Sequence, residues 1–343
     1  MGLSVRDIDN GTTKENFRRI NGYTSSAVIK RFTNTKNYCL IINPGNISWE
    51  LAKQSKFQRF YSPEFWEGQF KGDSVALKDC IKDRHSVILI DPSGNDKLAN
   101  ADLNLINGLR LDGKNIYSVA SFFEHITGRI PLIHLSQEWV VNNDLFFVST
   151  RWKFRLLKRS LDLFFSILLL PIATVLTSVG IVLTMITSKG PALFIQKRVG
   201  RNGKVFKIYK IRTMKHAPKG YTQHTVKNDN RVTPIGKFLR LSKIDELPQL
   251  INILKGDMSL IGPRPERDDI VEKMVKENPY YHLRHTIKPG VSGWAQIHNP
   301  TATPEQNLEK LEYDLYYVKN MSVFLDLKVL IKTIKIVFTF DSL

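Results

Sequence analysis

The sequence predicts a two-part chain: a small α/β domain, Rossmann-like and non-catalytic, over residues 1–150, and a mostly α-helical (α+β) membrane-associated domain over residues 151–343. The second part is expected to carry a re-entrant membrane helix hairpin at about 160–188. Three observations lead there. Short apolar runs alternate with amphipathic stretches in the first 150 residues, the 26 residues between Asp162 and Lys189 are uncharged, and the basic excess falls almost wholly after residue 150. With 343 residues and 42% hydrophobic content, both parts have enough apolar material for packed cores.

In the first part, NYCLII (37–42) and HSVILID (85–91) read as buried strands bounded by turn residues, and SWELAKQ (48–54) and NADLNLINGLRL (100–111) as helices. The stretch 114–132 then leads through Glu138 and Trp139 to the boundary near residue 150. Neither G-x-G-x-x-G nor a Walker loop is present, so the α/β pattern licenses no nucleotide site and the domain reads as a scaffold or regulatory unit. Cys39 and Cys80 have no metal or redox spacing, which points to a reducing cytosolic setting. The first thirty residues are polar and lack the apolar core of a cleavable signal peptide, so secretion by that route is not expected.

The uncharged run is long enough to cross a bilayer, since about 20 apolar residues suffice. Its flanks argue against crossing. Arg151, Lys153, Arg155, Lys158 and Arg159 precede it, Lys189, Lys197, Arg198, Arg201 and Lys204 follow it, and basic flanks favour the cytoplasmic face at both ends. Pro171, a third of the way along, removes one backbone donor and offers a bend. A helix that enters one leaflet, turns at Pro171 and returns satisfies both flanks; a single spanning helix kinked at Pro171 does not. Near the C-terminus, residues 324–340 set Lys328, Lys332 and Lys335 on one helical side and Leu330, Ile331, Ile334, Val337 and Phe338 on the others. That pattern fits a helix at a membrane interface or one packed on a protein surface.

Net charge is +18. Residues 1–150 carry 18 basic and 16 acidic side chains, against 32 and 16 in the rest. Such a field suits anionic lipid, a phosphorylated substrate or nucleic acid. Nucleic acid explains neither the uncharged run nor the carboxylate pair described next, and no nucleic-acid partner is expected.

Residues 204–212 alternate basic with apolar, so a strand there presents Lys204, Lys210 and Arg212 beside its apolar face. In KIDELPQLINILKG (243–256), Pro248 fits a first helical turn, Leu247, Leu250, Ile251 and Leu254 follow at helical spacing, and Gly256 stops the helix. Asp245 and Glu246 then fall at a helix N-terminus, where the dipole favours negative charge and where capping is the plain reading. Two arginines change the balance. Arg240 lies five residues upstream, and Gly262-Pro263-Arg264-Pro265 fixes the backbone on both sides of Arg264, a means of holding a guanidinium against a phosphate. Carboxylates beside phosphates normally need a divalent cation between them.

With these motifs assembled, the stretch from Lys158 to about Phe338 resembles the bacterial sugar transferases, the monotopic polyprenyl-phosphate phosphoglycosyl transferases (undecaprenyl-phosphate sugar phosphotransferases). The motifs are Lys210-Ile211-Arg212-Thr213-Met214, Asp245-Glu246-Leu247-Pro248-Gln249, Gly256 through Pro265, and Pro289-Gly290-Val291-Ser292-Gly293-Trp294-Ala295-Gln296. The resemblance implies Asp245 as nucleophile with Glu246 beside it, Mg²⁺ on these carboxylates, a helix break at Pro171, and Arg240, Arg264, Lys210, Arg212 and Gln249 around the substrate phosphates. It implies transfer of a sugar-1-phosphate from a UDP-sugar to polyprenyl (undecaprenyl) phosphate, through an Asp-linked glycosyl phosphate, with release of UMP. The implied setting is the cytoplasmic face of a bacterial inner membrane, at the start of glycoconjugate or exopolysaccharide assembly. Asp314, on a tyrosine-rich helix, is a further candidate or a surface charge. A homodimer is compatible with this reading but has no motif behind it. The alternative is a non-catalytic membrane-associated scaffold whose carboxylates only cap a helix. The chain departs from the family pattern in three places. Leu170 stands where a serine often precedes the proline, His298-Asn299-Pro300 replaces Asn-Gly-Arg, and the bundle of spanning helices that opens the longer members has no counterpart here.

Overall fold

The computed structural model describes residues 17–19, 28–30, 37–66, 81, 85–91, 100–135, 140, 151–215, 229–299 and 306–339. The chain divides into two compact units, Met1–His134 and Leu135–Leu343, so the division falls ahead of the expected boundary at 150. Cys80, Glu138, Trp139 and Pro300 lie outside the described residues.

The first unit opens on an antiparallel pair, β1 (Phe17–Arg19) and β2 (Val28–Lys30). Its body is a four-stranded parallel sheet of β3 (Asn37–Ile42), β4 (Tyr61–Trp66), β5 (His85–Ile90) and β6 (Ile116–Ser118), in the order β4-β3-β5-β6. Strands buried on both faces read as continuous apolar runs, which is why 37–42 and 85–91 were legible. Helices α1 (Asn46–Lys53), α2 (Ser55–Phe60) and α4 (Val119–Thr127) cover one face, where Ile47, Leu51, Phe57 and Phe122 pack on Cys39 and Leu89. Helix α3 (Asn100–Leu111) covers the other, with Ile106 against Leu40 and Ile88. In open parallel sheets the first strand-to-helix turn is a common phosphate site. Here Asp91 fills that place: its Oδ2 accepts from the Gly45 N–H (3.0 Å) and the Ser48 hydroxyl (2.7 Å) at the start of α1. The Cys39 thiol is buried in the core, and burial pushes its pKa up.

The second unit begins with α5 (Trp152–Thr187), one continuous helix of 36 residues that contains Pro171. At 1.5 Å per residue it is about 54 Å long. The hairpin expected at 160–188 is not drawn as two helices. Thr174 Oγ1 donates to the Leu170 carbonyl (2.8 Å), an ordinary bond to the preceding turn that does not reach the carbonyl left without a donor by Pro171. Asp162, Ser166, Ala173, Gly180 and Thr184 are buried, one stripe at spacings of four and seven. The other faces leave Phe164, Ile167, Ile172, Val175, Val182 and Ile186 more than half exposed. A broad exposed apolar surface on a helix docked by a narrow stripe of small and polar residues is the reverse of a soluble core helix.

The basic flank before the run does not simply face lipid. Lys158 Nζ donates to Asp326 Oδ2 (2.6 Å) and to the Tyr317 hydroxyl (3.1 Å), and Arg159 donates to the carbonyls of Ile253 (2.6 Å) and Leu254 (3.0 Å). Asp162 accepts from the Ser259 hydroxyl and the Leu260 N–H, both at 2.9 Å. These contacts fasten the start of α5 to four other elements of its own unit.

Beyond α5 an antiparallel ribbon pairs β7 (Leu193–Val199) with β8 (Val205–Ile211). Helix α6 (Pro234–Leu241) leads to a 3-10 turn (Ile244–Gln249) and then α7 (Leu250–Lys255), which stops at Gly256 in the left-handed conformation (φ 88°). Ile208 of β8 packs against Leu250, Ile253, Met258 and Ala173, and the Asn252 amide bonds the backbone of Lys207 and Tyr209. A short parallel pair, β9 (Ser259–Ile261) and β10 (Gly290–Ser292), is separated by α8 (Asp268–Glu277) and a second 3-10 stretch (Pro279–Thr286). Helices α9 (Trp294–His298), α10 (Asn307–Lys319) and α11 (Val323–Thr339) close the unit. Trp294 stacks on Tyr316, and Lys328 and Lys332 lie over the Trp294 ring at 5.2 and 5.8 Å. Lys328 and Lys332 thus reach back over a ring of their own unit, as the packed-surface alternative has it, while Phe324, Leu327 and Ile331 face outward.

Gly180 lets α5 approach the 3-10 turn. A Cβ there would lie 2.8 Å from Ile211 Cδ1 and 3.6 Å from Ile244 Cγ2. Both are movable methyl groups, so Gly180→Ala is expected to change stability by less than about 1 kcal/mol, whereas Gly180→Leu overpacks the contact and costs about 1–3 kcal/mol. Denaturant midpoints of the two variants check this.

Candidate active site

The carboxylate pair sits in the 3-10 turn, not at the N-terminus of an α-helix. Pro248 has no N–H to give an α-helical first turn, and the chain instead winds through 3-10 geometry before α7 begins at Leu250. Neither carboxylate stands at an N-cap position: Lys243 precedes the 3-10 turn and Gln249 precedes α7. The two have different surroundings. Glu246 Oε1 receives Lys210 Nζ at 2.6 Å and Arg264 Nη2 at 3.1 Å. Burial alone would raise the Glu246 pKa, but Lys210 and Arg264 hold it well below the usual carboxylate range. Asp245 is buried, and its Oδ1 has no hydrogen-bond partner among the described residues. Burial, reinforced by the charge on Glu246, pushes Asp245 up to about 6, with Lys210, Lys243 and Arg240 acting the other way.

Each cation comes from a different element. Lys210 is on β8, where burial lowers its pKa and Glu246 opposes that shift. Arg240, in the last turn of α6, is oriented by its Nε–H bond to Thr213 Oγ1 (2.8 Å) and bears electrostatically on Asp245. Arg264 is held through its backbone as well as its prolines. The Arg264 carbonyl accepts from Arg284 Nη2 (2.9 Å), the Pro265 carbonyl from Arg198 Nη1 (3.1 Å), and the Pro263 carbonyl from the Gly290 N–H (2.9 Å). Arg264 keeps 41% of its side chain exposed, so part of its fork is open to a ligand.

Asp314 is neither at the pair nor on the surface. It is fully buried in α10 and ion-pairs with Arg284 at 2.7 Å, which fixes the arginine that supports Arg264. Arg212 also departs from expectation. Its guanidinium turns to the end of α5 and donates to the Ser188 carbonyl (2.7 Å) rather than to either carboxylate. Gln249 is buried behind the turn, and its Nε2 has no partner among the described residues. The structure thus gathers Asp245, Glu246, Lys210, Arg240 and Arg264, and adds Lys243 and Arg284, which sequence patterns did not single out. Lys243 stood two residues before Asp245 as the only visible hint; Arg284 gave none.

Among the described residues there is no cluster of three or more His, Cys, Asp or Glu side chains suited to a metal. A site of one or two carboxylates completed by substrate phosphates and water is nevertheless how Mg²⁺ is often bound. The unpartnered Asp245 Oδ1 fits such a site, while Glu246 already holds two cations.

A family model described as bacterial sugar transferase matches residues 153–340. The chain belongs to the bacterial sugar transferase family. Within it, the chain is similar to the UDP-N-acetylgalactosamine-undecaprenyl-phosphate N-acetylgalactosaminephosphotransferase of Aeromonas hydrophila, 38% identical over 226 residues that cover 65% of this chain and 52% of that relative. It is similar to the UDP-glucose:undecaprenyl-phosphate glucose-1-phosphate transferase of Escherichia coli K12, 42% identical over 52% of this chain and 40% of that relative. A putative undecaprenyl-phosphate N-acetylgalactosaminyl 1-phosphate transferase of Bacillus subtilis is 48% identical over 129 residues, 37% of this chain and 72% of the relative. The chain spans about half or less of the length of the first two of these sugar transferases.

Proposed function

We propose that this sugar transferase moves a sugar-1-phosphate from a UDP-sugar to polyprenyl (undecaprenyl) phosphate. The observation that carries the reading is the division within the pair: Glu246 is locked to Lys210 and Arg264, while Asp245 is buried and its Oδ1 has no hydrogen-bond partner among the described residues. In the first step an Asp245 carboxylate oxygen attacks the phosphorus that bears the sugar, and the bond from that phosphorus to the UMP oxygen breaks. UMP leaves and a glycosyl phosphate stays on Asp245. In the second step a phosphate oxygen of the polyprenyl acceptor attacks the same phosphorus and the bond to Asp245 breaks, giving a polyprenyl diphosphate sugar. Arg240 and the open edge of Arg264 orient phosphate oxygens as charge spreads over them. Mg²⁺ on the open Asp245 side of the pair would neutralise charge between nucleophile and substrate, while Glu246 stays with Lys210 and Arg264.

The membrane arrangement supports the same reading. A polyprenyl chain leaves the bilayer only at about 0.8 kcal/mol per CH₂, so the enzyme must meet its acceptor at the headgroup plane. Helix α5 docks on its own unit from Asp162 to Thr184 and turns an apolar surface outward. This favours a monotopic placement in which α5 dips into one leaflet, bends at Pro171 and keeps both basic flanks on the cytoplasmic face of the inner membrane.

The test is UMP release by the detergent-purified protein with Mg²⁺, across a panel of UDP-sugars, with and without polyprenyl phosphate. At least one sugar is expected to give acceptor-dependent UMP. Because the nucleophile must be ionised, the rate should rise with pH through about 6 and level above it, rather than near 4 as for an ordinary carboxylate. No UMP from any sugar by folded, membrane-bound protein would overturn the reading.

A further inference from the structure

We infer that Lys243 is a substrate-phosphate contact of this site, holding the diphosphate of the nucleoside diphosphate sugar beside Asp245; this rests on the transferase reading above. Two independent features point to it. The first is the allocation of charge. Four cations bear on the pair, and Lys210 and Arg264 are both bonded to Glu246. The Lys243 ammonium has no hydrogen bond or ion pair among the described residues, although it lies within electrostatic reach of both carboxylates. Among the described residues Arg240 is tethered by Nε alone. Glu246 with its two cations is therefore a filled group, and Asp245 with Arg240 and Lys243 is a group of net positive charge with open donors. An anionic diphosphate must bring its negative charge up to a carboxylate nucleophile, and uncommitted donors on that side are what the approach requires.

The second feature is the backbone. Lys243 has φ 57° and ψ 14°, in the left-handed region, at the residue that starts the 3-10 turn. Among the described residues only two other non-glycine residues have positive φ, Asn43 and Asn202, and asparagine takes this conformation readily. A lysine there is strained where glycine or asparagine would relax, and local strain of this kind gathers at ligand-handling positions. The left-handed turn also ties Lys243 to the dyad: its carbonyl accepts the Glu246 N–H (3.1 Å), so residue and dyad share one tight loop.

The experiment is calorimetric titration of UDP and UMP into the full chain, alongside UDP-sugar KM and kcat, for wild type and Lys243→Met, Lys243→Arg and Lys243→Gly. Loss of one charge-assisted contact predicts about 10- to 100-fold weaker UDP binding and a similarly raised KM in the Met variant, with Arg retaining most of the affinity. The Gly variant relieves the backbone yet lacks the ammonium, so it should lose affinity as Met does while melting at or above wild type. Equal UDP binding by wild type and the Met variant, including none by either, overturns the inference. Failure of UMP release with a normal Lys243-dependent UDP affinity would instead count against the transferase reading alone.

Discussion

Asp245→Asn is expected to reduce UMP release by at least about 10³-fold and to leave the protein as stable as wild type or more so. The activity loss follows from chemistry, because an amide of the same shape neither attacks phosphorus nor carries the transferred group. The stability result is the sharper one. A buried carboxylate whose pKa rises to about 6 from the ordinary 3.8 is less well accommodated as an anion in the fold than in the unfolded chain. Its penalty is complete above about pH 6 and disappears as pH falls below 4, so the Asn variant should gain at pH 7 and match wild type in acid. Roughly two pKa units correspond to a gain of about 1–3 kcal/mol. Glu246→Gln should do the opposite, since it leaves Lys210 and Arg264 without the carboxylate both hold, and its melting temperature should fall. Denaturant titrations of the two variants at pH 7 and pH 4.5, beside the UMP assay, check both signs. An Asn variant that is fully active would return the pair to a structural role.

Two strands and two helices of the first unit could be read from the sequence, while the short β6 and the polar-led β4 gave no comparable run. Residues 39–42 of β3 and 87–90 of β5 are apolar without interruption as a sheet covered on both faces requires, and 100–111 coincides with α3 at both ends. The site was legible where motif and side-chain chemistry coincide, as at Asp245, Glu246, Lys210, Arg240 and Arg264. It was not legible where backbone geometry or distant packing decides. The spacing of Leu247, Leu250, Ile251 and Leu254 suits an α-helix, but a proline within the turn diverts the first six residues into 3-10 geometry. Lys210 and Arg212 look alike as basic residues near the end of one strand, yet the first reaches Glu246 and the second reaches Ser188. Asp314 reads as a helix surface charge until Arg284 is seen against it. The lysines of α11 likewise suit either headgroup contacts or a packed surface helix, and only tertiary structure brings Trp294 beneath two of them.

Gly290→Ala should unfold the core of the second unit or lower its melting temperature by about 10 °C or more, and abolish activity with it. The reason lies in how two motifs distant in sequence interlock. Gly262 opens the Gly-Pro-Arg-Pro turn, and Gly290 and Gly293 lie in the later Pro-Gly-Val-Ser-Gly segment. A Cβ on Gly290 would stand 2.1 Å from the Gly262 nitrogen, and one on Gly293 would stand 2.3 Å from the Gly262 carbonyl oxygen. These are backbone atoms, so no rotamer change relieves the clash as it would at Gly180. The same close approach carries the bonds from Gly262 N–H to the Ser292 carbonyl and from Gly290 N–H to the Pro263 carbonyl, both 2.9 Å. Parting the strands by even one methyl group breaks both bonds and moves the turn that aims Arg264 at Glu246. Gly108→Ala is the matching control: it lies inside α3 with nothing within 4 Å of the added carbon, and should be neutral or stabilise by about 0.5–1 kcal/mol. If Gly290→Ala melts with wild type while UMP release is kept, the two motifs are not held by this contact and the rigidity of Arg264 must come from its prolines and from the Arg284 and Arg198 bonds to that turn.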